Sequence, residues 1–561
     1  MARTPVGYDL PDLDAVDSYG EFRAAFSWSL PDEYDVATAS LDHPPNVRSR
    51  TALRHVDESG DVHAFAYDAL AGAADAVAAW LADRGVGEGD RVAVSFPQSP
   101  EHLLVHLGAY RLGVVVVPVS VLLGADSLSY TLDHADADLF VVDETVHEGF
   151  REAGAALDAP DAVVVVPTDP DAYGPAAGHL GGLRSVVEPG REGPRAATGP
   201  DDPALVLYTS GTSDRPKGVV VGHRYLAGSL PGYHCWFHLF DPDELGVQRV
   251  WTPAEWAWAG ALFDVVFPTL AIGGTVVSRE RRSGFDPAEA LALMDDQGVT
   301  RAFMPPTALH QIRDAAPEPD TSLPTLSVVQ CGGEPLAEDL RAWAESTLDL
   351  VVNEGYGQTE ANALAGECRA LFPPREGSLG RAYPGHDLVV VDDDGDPLPP
   401  GESGELAVEL PDPVAFLRYW RDPGATDAKR ADGLLRTGDT AVLDADGYVH
   451  FRGRADDLVL SSGYRVSPAE VERALERHDA VSEAVVGGVP DDERGQRVRA
   501  YVVPAPGVEA VDPATLAQLR EFVRRDAGAH KVPDEVKVLA DPPTTRSGKV
   551  DRSALFPDEE S

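Results

Sequence analysis

Lysine is nearly absent from this chain. Five of its 46 basic residues are lysine, at 217, 429, 531, 537 and 549, and the rest are arginine. Cysteine is as scarce: Cys235, Cys368 and Cys331 stand alone, too far apart for a disulfide framework or a metal-ligand spacing, and they read as small buried hydrophobes. No basic surplus exists. The formal charge is −47, with 93 acidic against 46 basic residues, which excludes the basic footprint that nucleic acid or an anionic membrane surface requires. The N-terminus is acidic and carries no apolar signal segment. The strongest apolar run, 114–123, is too short to span a bilayer and contains Pro118. A cytoplasmic protein without membrane insertion is expected.

The hydrophobic content, 43 %, is too high for a disordered acidic chain, and 561 residues suffice for two or more domains. Extreme acidity in a folded protein suits a molar-salt cytoplasm. There the Debye length falls to about 3 Å, so carboxylates hydrate the surface without strong mutual repulsion. In so lysine-poor a chain, each lysine present is expected to have a specific task.

Strand-like and helix-like segments alternate over most of the length. Strands are expected at 91–95, 114–118, 139–143 and 162–166, with helices at 102–112 and 126–134. A second block expects strands at 274–277, 300–304, 326–330 and 350–353, with a helix at 287–297. This is the pattern of an α/β protein with mainly parallel sheets. After about residue 385 short β segments with Asp-Gly turns at 394–395, 432–433 and 446–447 mark a β-rich part. A charged joint at 454–457 then precedes a small α+β region with a helix at 468–478. The expected organisation is a large domain over 1–453, a hinge at 454–457 and a small domain over 458–561.

Three loops at strand ends carry the chemistry. The strand 204–208 runs into Thr209-Ser210-Gly211-Thr212-Ser213, which closes on Pro216-Lys217-Gly218. Hydroxyls, bare backbone N–H groups and a glycine at a strand end wrap polyphosphate oxygens. The common ATPase loop ends in Gly-Lys-Ser/Thr, and this one does not. Downstream, Tyr356-Gly357-Gln358-Thr359-Glu360 ends in a hydroxyl, for a phosphate oxygen, and a carboxylate of the kind Mg²⁺ takes. Gly333, with Glu334 and Pro335, makes a turn against which a flat base can lie. Asp439, in Arg436-Thr-Gly-Asp439, reads as a carboxylate on a tight turn able to accept from both hydroxyls of a ribose. Because ligands of open α/β sheets gather at the carboxyl ends of strands, these loops are expected to share one site.

The ordered set resembles the adenylate-forming superfamily of acyl-CoA synthetases, luciferases and peptide-synthetase adenylation domains, most closely the medium-chain acyl-CoA synthetases. The likeness covers essentially everything after about residue 50. It departs at Asp214, where the family usually has glycine. The resemblance implies that Thr359 meets the α-phosphate and Glu360 holds the metal. It implies an adenine-binding turn at 332–335, a ribose contact from Asp439 and a nucleotide contact from Arg454. Asp456 then becomes the hinge, Gly463 the passage for a pantetheine arm, and Arg465 a phosphate ligand during thioester formation. Lys549, in Thr545-Arg-Ser-Gly-Lys549, matches the family's C-terminal lysine. The implied substrates are a carboxylic acid, ATP with Mg²⁺, and coenzyme A, passing through acyl-AMP. Acetate-specific members carry tryptophan where this chain has Gly357, which implies an open acyl pocket walled by Trp258 and an acid larger than propionate. The alternatives are an acetate or propionate ligase, an enzyme loading a carrier protein, and a non-catalytic nucleotide-binding regulator.

Overall fold

The computed structural model describes residues 8–11, 16–152, 163–167, 173, 180–209, 216–281, 284–315, 323–334, 336–454, 459–461, 464–491, 495–508, 512–526, 531–544 and 550–556. The chain divides into two compact units. One comprises residues 1–387 and 408–435, the other 388–407 and 436–561. The β-rich segment is therefore shared out: strands Leu388–Val391 and Val449–Arg454 belong with the C-terminal unit, whereas the sequence places everything up to 453 in the large domain.

Valine-rich runs without alternation form strands buried on both faces, as parallel sheets demand. In the first unit, Val163–Val166, Leu139–Asp143, Arg91–Ser95, Val115–Pro118 and Pro203–Thr209 pair in parallel in that order. Lys217–Gly222 then pairs antiparallel with Pro203–Thr209, and Arg418–Tyr419 antiparallel with Lys217–Gly222. A second sheet has a parallel centre of Thr51–Val56, Thr275–Arg279, Arg249–Trp251, Arg301–Phe303, Val328–Gly332 and Val351–Gln358. Antiparallel strands close its edges, Val62–Ala66 on one side and Ala361–Gly366 with Arg381–Ala382 on the other.

Helices start where the sequence provides caps. Ser99 accepts from His102 N ahead of Pro100–Arg111, and Asp286 accepts from Ala288 N and Glu289 N ahead of Pro287–Asp296, each with proline in the first turn. The core under the second sheet packs Trp251, Met304, Leu309, Val329, Leu340 and Val352. All three cysteines are buried and free, as expected. Among the described residues no helix is long and apolar enough to cross a membrane.

The second unit pairs Val481–Asp491 with Gly495–Pro504 over a long antiparallel ladder, adds Glu535–Val538 in parallel, and packs helices Pro468–Glu476 and Pro513–Asp526 through Val471, Leu475, Leu519 and Val523. Asp432 and Gly433 both take positive φ, 55° and 77°, as a two-residue hairpin turn requires.

Candidate active site

The phosphate-type loop is the connection of a hairpin. Thr209 and Lys217 are cross-strand partners, and so are Tyr208 and Gly218. Residues 210–215, which include Ser210, Gly211, Thr212 and Ser213, lie outside the described residues. The hairpin hands over Lys217 with its ammonium 5.3 Å from the centre of the Tyr419 ring, within cation–π range.

Thr359 and Glu360 form the turn of a second hairpin. The sequence expects a strand ending at 353 and a loop over 354–360. Instead the strand runs from Val351 to Gln358, and Gln358 faces Ala361 across the turn. The physical reason is edge pairing: Gly355 and Tyr356 face Gly366 and Ala365 on the returning strand, so those backbone groups join the ladder. The Thr359 carbonyl accepts from the buried Tyr225 hydroxyl at 2.9 Å. Backbone N–H of Phe416 donates to the Glu360 carbonyl at 2.8 Å.

Tyr419 joins the two hairpins. Its hydroxyl donates to Glu360 Oε1 at 2.6 Å while its ring lies beneath Lys217. Its own strand is paired to the lysine hairpin through Val219, and Trp420 N donates to Gly218 O at 2.7 Å. The structure thus brings Lys217, Thr359 and Glu360 to one place. Neither Tyr419 nor Tyr225 was picked out from the sequence. Each lies far along the chain from its partner in an unremarkable segment, so no local signal marks it.

The half-buried Glu360 carboxylate, oriented by one hydroxyl, fits a metal shared with phosphate oxygens, since Mg²⁺ commonly takes one or two carboxylates and completes its shell with phosphates and water. Among the described residues no group of three or more His, Cys, Asp or Glu forms a metal cage.

Gly333 has φ +85°, and nothing lies within 4 Å of where its Cβ would be, so this turn presents bare backbone to open space. Glu334 accepts from Thr307 Oγ1 at 2.7 Å. The next described residue, Leu336, donates its N–H to Glu354 Oε1 at 3.1 Å, and buried Arg341 bridges Glu354 and Glu367 at 3.4 and 2.6 Å. Pro335 lies outside the described residues.

Two readings need correction. Gly357 does not owe its missing side chain to acyl space. A Cβ there would stand 2.5 Å from Ala363 N and 3.1 Å from Asn362 C, so the hairpin backbone itself requires glycine. Asp439 is not on a tight turn. It lies inside the strand Leu434–Leu443, where its N–H donates to Thr437 Oγ1 and where it is the register partner of Arg454. The second unit therefore places side by side the two residues to which the resemblance gives ribose and nucleotide contacts.

Trp258 is 39 % exposed at the start of a short helix, Ala259–Ala261. Its indole N–H and the Ser120 hydroxyl both hydrogen-bond Glu255, the latter at 2.5 Å, while burial pushes the Glu255 carboxyl above its ordinary pKa. Asp456, Gly463 and Lys549 lie outside the described residues. Arg465 is described by its backbone alone, on Tyr464–Val466, opposite Leu460.

Comparison with known proteins agrees with this geometry. The model of the AMP-binding enzyme family matches residues 43–420, and that of the AMP-binding enzyme C-terminal domain matches 470–549. The chain is 35 % identical to feruloyl-CoA synthase of Amycolatopsis sp, covering 89 % of this chain and 94 % of that protein. It is 31 % identical to the mitochondrial acyl-coenzyme A synthetase ACSM4 of Homo sapiens, covering 84 % and 80 %. ATP-bound MatB from Rhodopseudomonas palustris superposes with a TM-score of 0.80 at 27 % identity, covering 93 % of this chain and 98 % of that one. The chain belongs to the AMP-binding enzyme family and is an AMP-forming acid–thiol ligase that uses ATP, Mg²⁺ and coenzyme A.

Proposed function

We propose that this ligase activates a carboxylic acid larger than propionate, of medium-chain, branched or aromatic type, and that it does so in molar salt. The observation that carries the residue assignment is the Lys217–Tyr419–Glu360 link, which places a cation and a carboxylate around one ring at the ends of two glycine-bearing hairpins. The half-exposed Trp258 offers an apolar face to an acyl group, and the relative named for feruloyl-CoA synthesis supports a larger acid.

In the first half-reaction a carboxylate oxygen attacks the α-phosphorus of ATP, and the bond to pyrophosphate breaks. In the second, the thiol sulfur of coenzyme A attacks the acyl carbon, its proton passes to water, and the bond to AMP breaks. The mixed anhydride is already activated, so the protein needs no nucleophile of its own and works by positioning and charge stabilisation. Lys217 and the hydroxyls of 209–213 hold the β- and γ-phosphates, and Thr359 holds the α-phosphate. Glu360 would hold Mg²⁺, which offsets phosphate charge. The bare backbone at Gly333 receives the adenine edge, and Asp439 with Arg454 receives the ribose. Lys549 serves adenylation, and rotation about Asp456 replaces it with Gly463 and Arg465 for thioester formation.

The test is pyrophosphate–ATP exchange and thioester formation over a panel of acids in molar KCl. Medium-chain, branched or aromatic acids are expected to exceed acetate by tenfold or more in kcat/KM. Lys549→Ala is expected to lose about 10²–10³-fold in acyl-AMP formation, the usual effect of removing one preorganised charge contact. Supplied with synthetic acyl-AMP, it should still form thioester. Preference for acetate would overturn the acid assignment, and equal loss of both half-reactions would overturn the role of Lys549.

A further inference from the structure

Asp264 is a buried carboxyl that the adenylation chemistry does not use. It sits on the five-residue π-helical stretch Leu262–Val266 and is 6 % exposed. Wide turns of this kind are frequent at functional sites. Asn362 Nδ2 donates to Asp264 Oδ1 at 2.5 Å, and among the described residues this is the hydrogen bond that holds the carboxyl. Asn362 stands two residues beyond Glu360 on the returning strand of the hairpin. At a rise of about 3.3 Å per residue, it lies on the order of 7 Å further along the chain than the Glu360 turn.

The second oxygen borders a space that a glycine keeps open. A Cβ on Gly260 would lie 3.3 Å from Asp264 Oδ2 and 3.6 Å from Cε1 and Cζ of Phe303. A carboxyl oxygen, the edge of an aromatic ring and a bare stretch of backbone therefore face one another. Trp258, which stands two residues before Gly260, is exposed. An aromatic edge beside a single hydrogen-bonding group suits a flat ligand with one polar substituent. Burial pushes the Asp264 carboxyl up to about 8, so near neutral pH it is largely the uncharged acid, which both donates and accepts. Tyr225, whose hydroxyl holds the Thr359 carbonyl, packs its ring edge-on against the neighbouring Phe263, with ring centres 4.8 Å apart.

We propose that Asp264 is a specificity-determining residue that hydrogen-bonds a hydroxyl or amino substituent, remote from the reacting carboxylate, on an aromatic acyl substrate. This rests on the acyl-activating reading above. A site built to hydrogen-bond a substituent rejects the analogue that lacks it far more strongly than an apolar pocket rejects a missing methylene, because the buried polar group is left unmatched.

The experiment uses the full chain in molar KCl and measures pyrophosphate–ATP exchange with matched acids: benzoate and cinnamate against their 3- and 4-hydroxy and amino derivatives. At least one substituted acid is expected to exceed its parent about tenfold or more in kcat/KM. Asp264→Leu is expected to abolish that preference while retaining or raising activity on the parent. Asp264→Asn, which keeps the shape and hydrogen-bonding capacity, is expected to keep part of the preference. Parents and derivatives within twofold of each other in the wild type would overturn the proposal whatever the variants do. So would an equal fall on both acids in Asp264→Asn or Asp264→Leu, which marks a structural staple to Asn362. If no acid of any class supports exchange, the acyl-activating reading fails and takes this proposal with it. Exchange confined to aliphatic acids overturns this proposal alone.

Discussion

Tyr419→Phe is the sharpest perturbation of the site, because it removes one atom and leaves the rest. The phenyl ring stays beneath Lys217, where the ammonium lies 5.3 Å from the ring centre, and the strand pairing through Val219 needs only backbone. What goes is the 2.6 Å hydrogen bond to Glu360 Oε1. A hydrogen bond to a charged group is worth about 1.5–3 kcal/mol. Glu360 is half-exposed, so water takes over part of the lost bond and the lower end applies. About 1.4 kcal/mol is tenfold in rate, so kcat/KM for adenylation should fall roughly tenfold, with a higher Mg²⁺ concentration needed for half-maximal exchange. Thermal unfolding should shift little, since the ring, its burial and its strand are unchanged. Tyr419→Leu removes the ring as well and should weaken ATP binding further. Pyrophosphate exchange across a Mg²⁺ titration reads both effects. If Tyr419→Phe shows wild-type exchange and wild-type Mg²⁺ dependence, the link from Lys217 to Glu360 is incidental and the residue assignment loses its support.

Gly357→Ala should lower activity on every acid by a similar factor and destabilise the chain by about 1–3 kcal/mol, because the new Cβ meets Ala363 N at 2.5 Å; a selective effect on long acids would instead restore the pocket reading. Stability at fixed molar KCl should fall above about pH 6.5 and again below about pH 4.5, with the two sets of groups offsetting one another between. Burial raises Glu101 to about 7 and Asp264 to about 8, so their contribution is fully present below the unfolded carboxylate value of about 4 and is lost as pH rises from there through the folded values. Burial lowers His102 and His234 to about 4, so their contribution is present above the unfolded histidine value and is lost as pH falls towards 4. Glu101→Gln should flatten the alkaline side of a melting-temperature profile, and an unchanged slope would remove Glu101 as its source. Melting temperature and activity should both rise as KCl approaches molar levels, since screening relieves repulsion at a charge of −47, whereas full stability in dilute buffer would contradict adaptation to salt.

The local pattern determined a good deal. Short apolar runs announced the parallel strands at 91–95, 114–118 and 139–143, because a strand covered on both faces has little polar face to alternate with. The excess of carboxylates announced the character of the surface, and the apolar run at 204–208 announced the strand that leads towards Lys217, although not the strand that returns from it. The strand signals each lie within a dozen residues, where side-chain chemistry and backbone preference act directly. The rest depended on pairing between distant segments. Nothing near residue 419 says that its hydroxyl meets Glu360, 59 positions away, until Arg418–Tyr419 pairs with the strand that bears Lys217. Asp264 and Asn362, 98 positions apart, are each ordinary polar residues until burial brings them to 2.5 Å. Gly357 looked like vacated ligand space because composition cannot show the direction in which a missing Cβ would point. The strand Ala361–Gly366, folding back across the turn, decided that, since a backbone nitrogen already occupies the place.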